Sequence, residues 1–91
     1  MFGYARNPYD MALQNMGQDF VVERNGETLH AIKGILNLKT MNVKFAAQDD
    51  VLPGDFVVQQ FTGQRFRVVI VSPLKMPNGQ LFGKEVQLAI V

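Results

Sequence analysis

The sequence predicts a mainly β protein: a small antiparallel β-sandwich or partly open barrel of five to six strands, with one short N-terminal helix. Three observations predict it. From Asp19 onward apolar and polar residues alternate with the period of two that a half-buried strand requires. Turn chemistry recurs between these stretches, at Asn25-Gly26, Pro53-Gly54, Thr62-Gly63-Gln64 and Pro77-Asn78-Gly79. One segment alone, Pro8 to Met16, carries a helical stripe. Short strands joined by hairpins, with so little helix, leave a sheet packed on a sheet or a sheet rolled on itself.

The helix comes first. Asn7 suits its cap, Pro8 its first turn, Asp10 the positive end of its dipole, and Gly17 a left-handed stop. About nine residues is shorter than an isolated helix can sustain, so its Tyr9, Leu13 and Met16 side must dock on something. A first hairpin follows over 18–24 and 27–36, turned at Asn25-Gly26, where both residues tolerate positive φ. The stretch 37–42 has neither Gly nor a helical stripe and reads as a long connecting loop. A brief strand over 43–48 sets Val43 and Phe45 on one face and ends at Asp49-Asp50. Leu52-Pro53-Gly54-Asp55 is a tight turn.

A second hairpin joins 55–61 to 65–72, with Phe66, Val68 and Ile70 inward and Arg65 and Arg67 outward. Pro73 to Gln80 reads as a turn-rich loop. The last strand covers 81–91, with Val86, Leu88 and Ile90 inward. The organisation expected is one domain over 1–91: an arm and short helix over 1–17, and a β domain over 18–91 with its loop at 37–42.

Composition narrows the function classes. Of 91 residues, 47% are hydrophobic and 19% charged, the balance of a chain that folds. Nine Lys and Arg oppose eight Asp and Glu, a net charge of +1, so no strong field favours nucleic acid or an anionic membrane. The absence of cysteine removes disulfides, thiolate metal sites and a thiol nucleophile together, and fits a reducing compartment. Residues 1–6 lack the pattern of a signal peptide, and the longest apolar run, Val68 to Val71, is far too short to cross a bilayer.

Catalytic constellations are thin. His30 is the single histidine and lies in a predicted strand without an evident partner. Asp49 and Asp50 are adjacent, and on extended chain their side chains point apart. Ser72 precedes Pro73 and sits in no Gly-x-Ser-x-Gly elbow. Gly79 to Gly83 lacks the Lys and helix N-terminus of a phosphate loop. Arg65 and Arg67 flank Phe66, but alternation sets the ring on the opposite face from both charges, which argues against base stacking. The expectation is a protein that is no enzyme, with no catalytic, cofactor-binding or metal-ligating residue and no cofactor. Seven Phe and five Met in so small a chain point instead to apolar surface for protein contacts.

The order of elements resembles the small head–tail joining (head-closure) proteins of long-tailed, lambda-like bacteriophages. The residues that carry the likeness are Ile32-Lys33-Gly34-Ile35 before the loop, Val43-Lys44-Phe45 after it, Leu52-Pro53-Gly54-Asp55-Phe56-Val57-Val58, then Phe66 through Pro73, and Val86-Gln87-Leu88. The resemblance spans about residues 8–91 and is one of layout more than identity. It implies a structural virion protein, assembled in the host cytoplasm and placed in the neck. There it would form a ring, a hexamer, between the portal or its adaptor and the tail terminator or tail tube, with no membrane and no specific nucleic acid among its partners. The contact residues so implied are Tyr9, Leu13 and Met16 on the helix and Leu38, Lys39, Met41 and Lys44 on and after the loop. Two alternatives stay open: a free-standing barrel binding nucleic acid or peptide through Arg65, Arg67 and Lys84 around an aromatic platform, or another tail component such as a tail terminator.

Overall fold

A computed structural model describes residues 8–91. It contains α1 (Pro8–Met16), β1 (Gln18–Arg24), β2 (Glu27–Asn37), β3 (Asn42–Phe45), β4 (Phe56–Gln59), β5 (Arg65–Lys75) and β6 (Leu81–Ile90). The six strands are antiparallel to their neighbours and close into a barrel in the order β1-β2-β3-β6-β5-β4, with β4 returning to β1. The mainly β class with one short helix is therefore correct, and the barrel is closed.

Alternation fills the interior. Phe20 and Val22 of β1, Ile32 of β2, Val43 and Phe45 of β3, Val57 of β4, Phe66 and Val68 of β5, and Val86 and Leu88 of β6 form the core, joined by Val51 from the loop before β4. Phe20 and Phe45 meet edge to face at 5.7 Å, a geometry that suits the ring quadrupoles. Full burial of each such side chain is worth about 1.5–3 kcal/mol. Gly34 makes the packing possible. A Cβ there would stand 2.5 Å from the Phe45 ring and 2.7 Å from a Val43 methyl.

Most turns follow the sequence signals. Asn25 (φ 53°) and Gly26 (φ 81°) turn β1 into β2, with Arg24 opposite Glu27. Gly54 takes φ 93°, and the Asp55 N–H donates to the Leu52 carbonyl at 3.1 Å.

Several expectations need correction. The cap assigned to Asn7 falls outside the described residues. Gly17 does not stop α1 by a left-handed φ. Its N–H donates to the Leu13 carbonyl at 3.0 Å, and a Cβ would lie 2.2 Å from that oxygen, so the glycine answers to close approach. The segment 37–42 is no long loop: Asn37 ends β2, Asn42 begins β3, and a four-residue turn joins them. The turn chemistry is there in Asn37, whose Oδ1 accepts the Lys39 N–H at 3.0 Å and the Thr40 N–H at 3.4 Å, while Met41 takes φ 53°.

β3 stops at Phe45 rather than near 48 because the chain turns at once. Ala46 accepts from the Asp49 N–H, and the Asp49 carboxylate accepts from the Ala46 N–H, both at 3.1 Å. β4 spans only Phe56–Gln59, since the Gly63 N–H already returns to the Gln59 carbonyl. The Pro73–Gln80 loop is in part strand: β5 runs on to Lys75, and the chain reverses at Pro77-Asn78-Gly79.

A register shift in β5 overturns the assignment of Ile70. Val68 pairs with Leu88, but Ile70 pairs with the adjacent Gln87, leaving Val69 as a bulge. Beyond it the faces exchange. Ile70 is 55% and Val69 44% exposed, while Val71 packs on the core. Ile90, expected inward, lies at the end of β6 and is 69% exposed.

Candidate protein-contact surface

One mouth of the barrel carries the charged groups. Arg24 at the end of β1 donates through Nε and Nη2 to the two carboxylate oxygens of Asp55, each at 2.9 Å, and reaches exposed Asp50 at 3.2 Å. The tight turn at Pro53-Gly54 presents Asp55 there. Its carboxylate also accepts the Leu52 N–H at 2.9 Å. Burial alone would raise the Asp55 pKa, but the guanidinium and this N–H hold it below the usual carboxylate value, and the two carboxylates raise that of Arg24. Burial pushes Asp49 upward, opposed by the Ala46 N–H and the charge of Lys84, whose Nζ donates to the Asp49 carbonyl.

These groups hold the barrel's lip together. Asp49 and Asp55 each close a local turn, and the side chain of Arg24 joins β1 to the loop before β4. The buried Nε2 of His30 has no hydrogen-bond partner among the described residues. Ser72 is exposed on β5. Among the described residues no three His, Asp or Glu gather as a metal site.

The helix is strapped down by its aromatic. The Tyr9 hydroxyl donates to the Phe45 carbonyl at 2.6 Å, and its ring meets Phe82 edge to face at 5.3 Å. Burial raises the Tyr9 pKa to about 12. Of the expected contact residues, the structure uses Tyr9, Leu13 and Met41 within the chain. Leu13 is 3% exposed, and Met41 packs on the core while its carbonyl accepts the Leu88 N–H at 2.8 Å. Met16, expected on the docked side of α1, is 67% exposed. With Leu38, Lys39 and Lys44 it lies open to solvent.

Sequence reading missed a larger apolar surface. Beyond Lys84 the β5–β6 hairpin pairs with no other strand among the described residues and extends as an arm on which Tyr9 rests. Val69 and Ile70 lie exposed on β5 toward its root, and Met76 and Leu81 lie exposed near its tip. The signal for the arm was available in the apolar residues flanking Pro77-Asn78-Gly79. The bulge at Val69 has no sequence signature.

Of the residues named for the nucleic-acid alternative, Arg65 lies 4.5 Å over the ring of Phe56 and Arg67 stands opposite Phe56 in the β4–β5 ladder, while Phe66 is buried and Lys84 is engaged at Asp49. Phe61 is 95% exposed, but the hollow beside it is lined by Gly17, Gln18, Asp19, Gln59 and Gln60, with a carboxylate and no cation.

The fold and surface together define a small closed β-barrel bearing a hairpin arm. Comparison with protein-family models, with curated proteins and with solved structures returns no match for this chain.

Proposed function

We propose that this chain is a non-enzymatic ring subunit of the neck of a long-tailed bacteriophage, joining the portal or its adaptor to the tail. The reading rests on the resemblance in layout and on one structural observation: the β5–β6 hairpin, whose exposed Val69 and Ile70 in the barrel wall and Met76 and Leu81 on the arm supply apolar area that the described residues do not cover. A net charge of +1 suits a ring wall past which DNA slides without being held. The role is geometric: the barrel keeps the contact surfaces at fixed separation, and neighbours supply the rest of the binding energy. On this reading the single substitutions His30→Ala, Asp50→Ala and Ser72→Ala leave function intact wherever the protein folds.

Deleting the gene from its phage tests the proposal. DNA-filled heads and complete tails that fail to join are the expected products under the electron microscope. Normal infectious particles, or heads without portals, would exclude the joining role.

A further inference from the structure

Phe61 is the most exposed large apolar side chain among the described residues. It stands in the turn between β4 and β5, and that turn is tied on both sides. The Gly63 N–H donates to the Gln59 carbonyl at 2.8 Å, with Gly63 at φ 76°, and the Gln59 N–H donates to the Gln64 carbonyl at 2.9 Å. The Gln60 N–H reaches across to the Asp19 carbonyl of β1 at 3.0 Å. A phenyl ring held out in water on a fixed backbone loses little further freedom when a ligand covers it.

Beside the ring lies a hollow of about 520 Å³, a size in the range of small-molecule sites, whose other walls are Gly17, Gln18, Asp19, Gln59 and Gln60. The amides orient one another. Gln59 donates through Nε2 to the Gln18 Oε1, and its own Oε1 accepts the Thr62 hydroxyl at 2.8 Å. Among the described residues this leaves the Nε2 of Gln18, the Oε1 of Gln60 and one carboxylate oxygen of Asp19 without a protein partner. A free donor and free acceptors therefore line the same hollow as an uncovered aromatic face.

The lining selects the ligand class. A polyanion finds no cation among these walls. A cationic ligand finds a single carboxylate, already paired with Lys33 at 2.9 Å. The centre of a protein interface surrounds its aromatic anchor with further apolar side chains, whereas Phe61 is the one apolar side chain of this hollow. A neutral ligand with one apolar face and a rim of hydroxyls uses every group present.

We infer that the hollow binds a neutral, β-linked oligosaccharide of glucose configuration, with one sugar ring stacked on Phe61. In that configuration the ring substituents are equatorial, so both faces of the sugar show only C–H groups. The negative face of the phenyl ring attracts those weakly positive hydrogens. Hydroxyls around the sugar's rim can accept from the Gln18 Nε2 and donate to the Gln60 Oε1 and to Asp19. The site does not depend on the neck reading.

The test is a titration of isotope-labelled, full-length protein with cellohexaose, followed by amide NMR shifts and by saturation transfer between Phe61 and the sugar. A shallow site with one stacking ring binds weakly, with a dissociation constant on the order of 1 mM. Shifts confined to residues 17–19 and 59–64 are expected. Phe61→Ala should weaken binding by about tenfold or more, and Phe61→Tyr should retain it. The Phe61 side chain is 95% exposed, so the alanine variant keeps its melting temperature and its loss of binding is not a loss of fold. Maltohexaose, whose α-linkages coil the chain, should bind more weakly than the flat β-linked ribbon. Absence of shifts at millimolar cellohexaose, shifts away from this turn, undiminished binding by Phe61→Ala, or preference for maltohexaose would overturn the inference. Shifts of the same residues with a neighbouring neck protein, and none with the sugar, would assign Phe61 to a protein contact instead.

Discussion

Tyr9 lies so close over Gly83 that a Cβ on that glycine would stand 2.5 Å from the ring. The helix is thereby seated on β6 through a position that admits no side chain. Gly83→Ala must lift Tyr9 or displace the strand, and overpacking of this kind costs about 1–3 kcal/mol. Urea denaturation is expected to show that loss, and to show little of it when the same change is made in a Tyr9→Ala background, where the obstacle is gone.

Tyr9 also gives the protein an alkaline limit. Its pKa rises on folding from the ordinary 10.0 to about 12, so the folded state favours the neutral phenol. The stability this contributes is complete below pH 10 and is lost as pH rises toward 12. Tyr9→Phe is expected to cost about 1 kcal/mol at neutral pH, through the hydrogen bond to Phe45, and to flatten the decline above pH 10 in thermal melts.

Asp55 sets the acid side. Its folded pKa lies below the ordinary 3.8, so its contribution is present above that value and disappears as pH falls through the lower folded value. Asp55→Ala leaves the Leu52 N–H without its acceptor and removes the tie to Arg24, a loss on the order of 2 kcal/mol at pH 7. The variant should also lose less stability than the wild type as pH falls below 4. An unchanged acid limb in a pH series of denaturation midpoints would contradict the assignment.

The bulge at Val69 makes two neighbouring apolar residues behave differently. Phe66→Ala is expected to destabilise by about 3–5 kcal/mol, through lost transfer energy and a cavity. Ile70→Ala, four positions along the same strand and on the solvent side of the shift, should fall within about 0.5 kcal/mol of the wild type. Comparable losses at both positions would mean that β5 runs without a bulge.

That contrast shows how far the sequence could be read. Asn25-Gly26, Pro53-Gly54 and the alternation through Phe20, Val22, Val43, Phe45, Phe66 and Val68 are local statements about φ and burial, and the strands they indicate are present. Ile70 and Ile90 obey the same alternation but lie outside, because an extra residue in one strand and the end of the barrel are properties of pairing. Asn37 is a local turn signal of another kind, since its side chain makes the turn that a glycine would otherwise mark. For the contact surface, composition indicated an apolar excess. Which residues carry it depended on the arm and on Tyr9 and Leu13 being used inside.

Closure of the barrel has a kinetic consequence. The hairpins β1–β2 and β5–β6 pair residues close in sequence, but the seams that close the cylinder join Phe20 to Gln59 and Val43 to Val86. Long loops must be ordered before either seam returns any free energy, which places both late in folding and makes the reaction slow for a chain of this length. Until they form, β1, β3, β4 and β6 present raw edges to any other chain in the same condition. The yield of folded protein should therefore fall steeply with chain concentration during refolding, even though the finished barrel hides most of those edges.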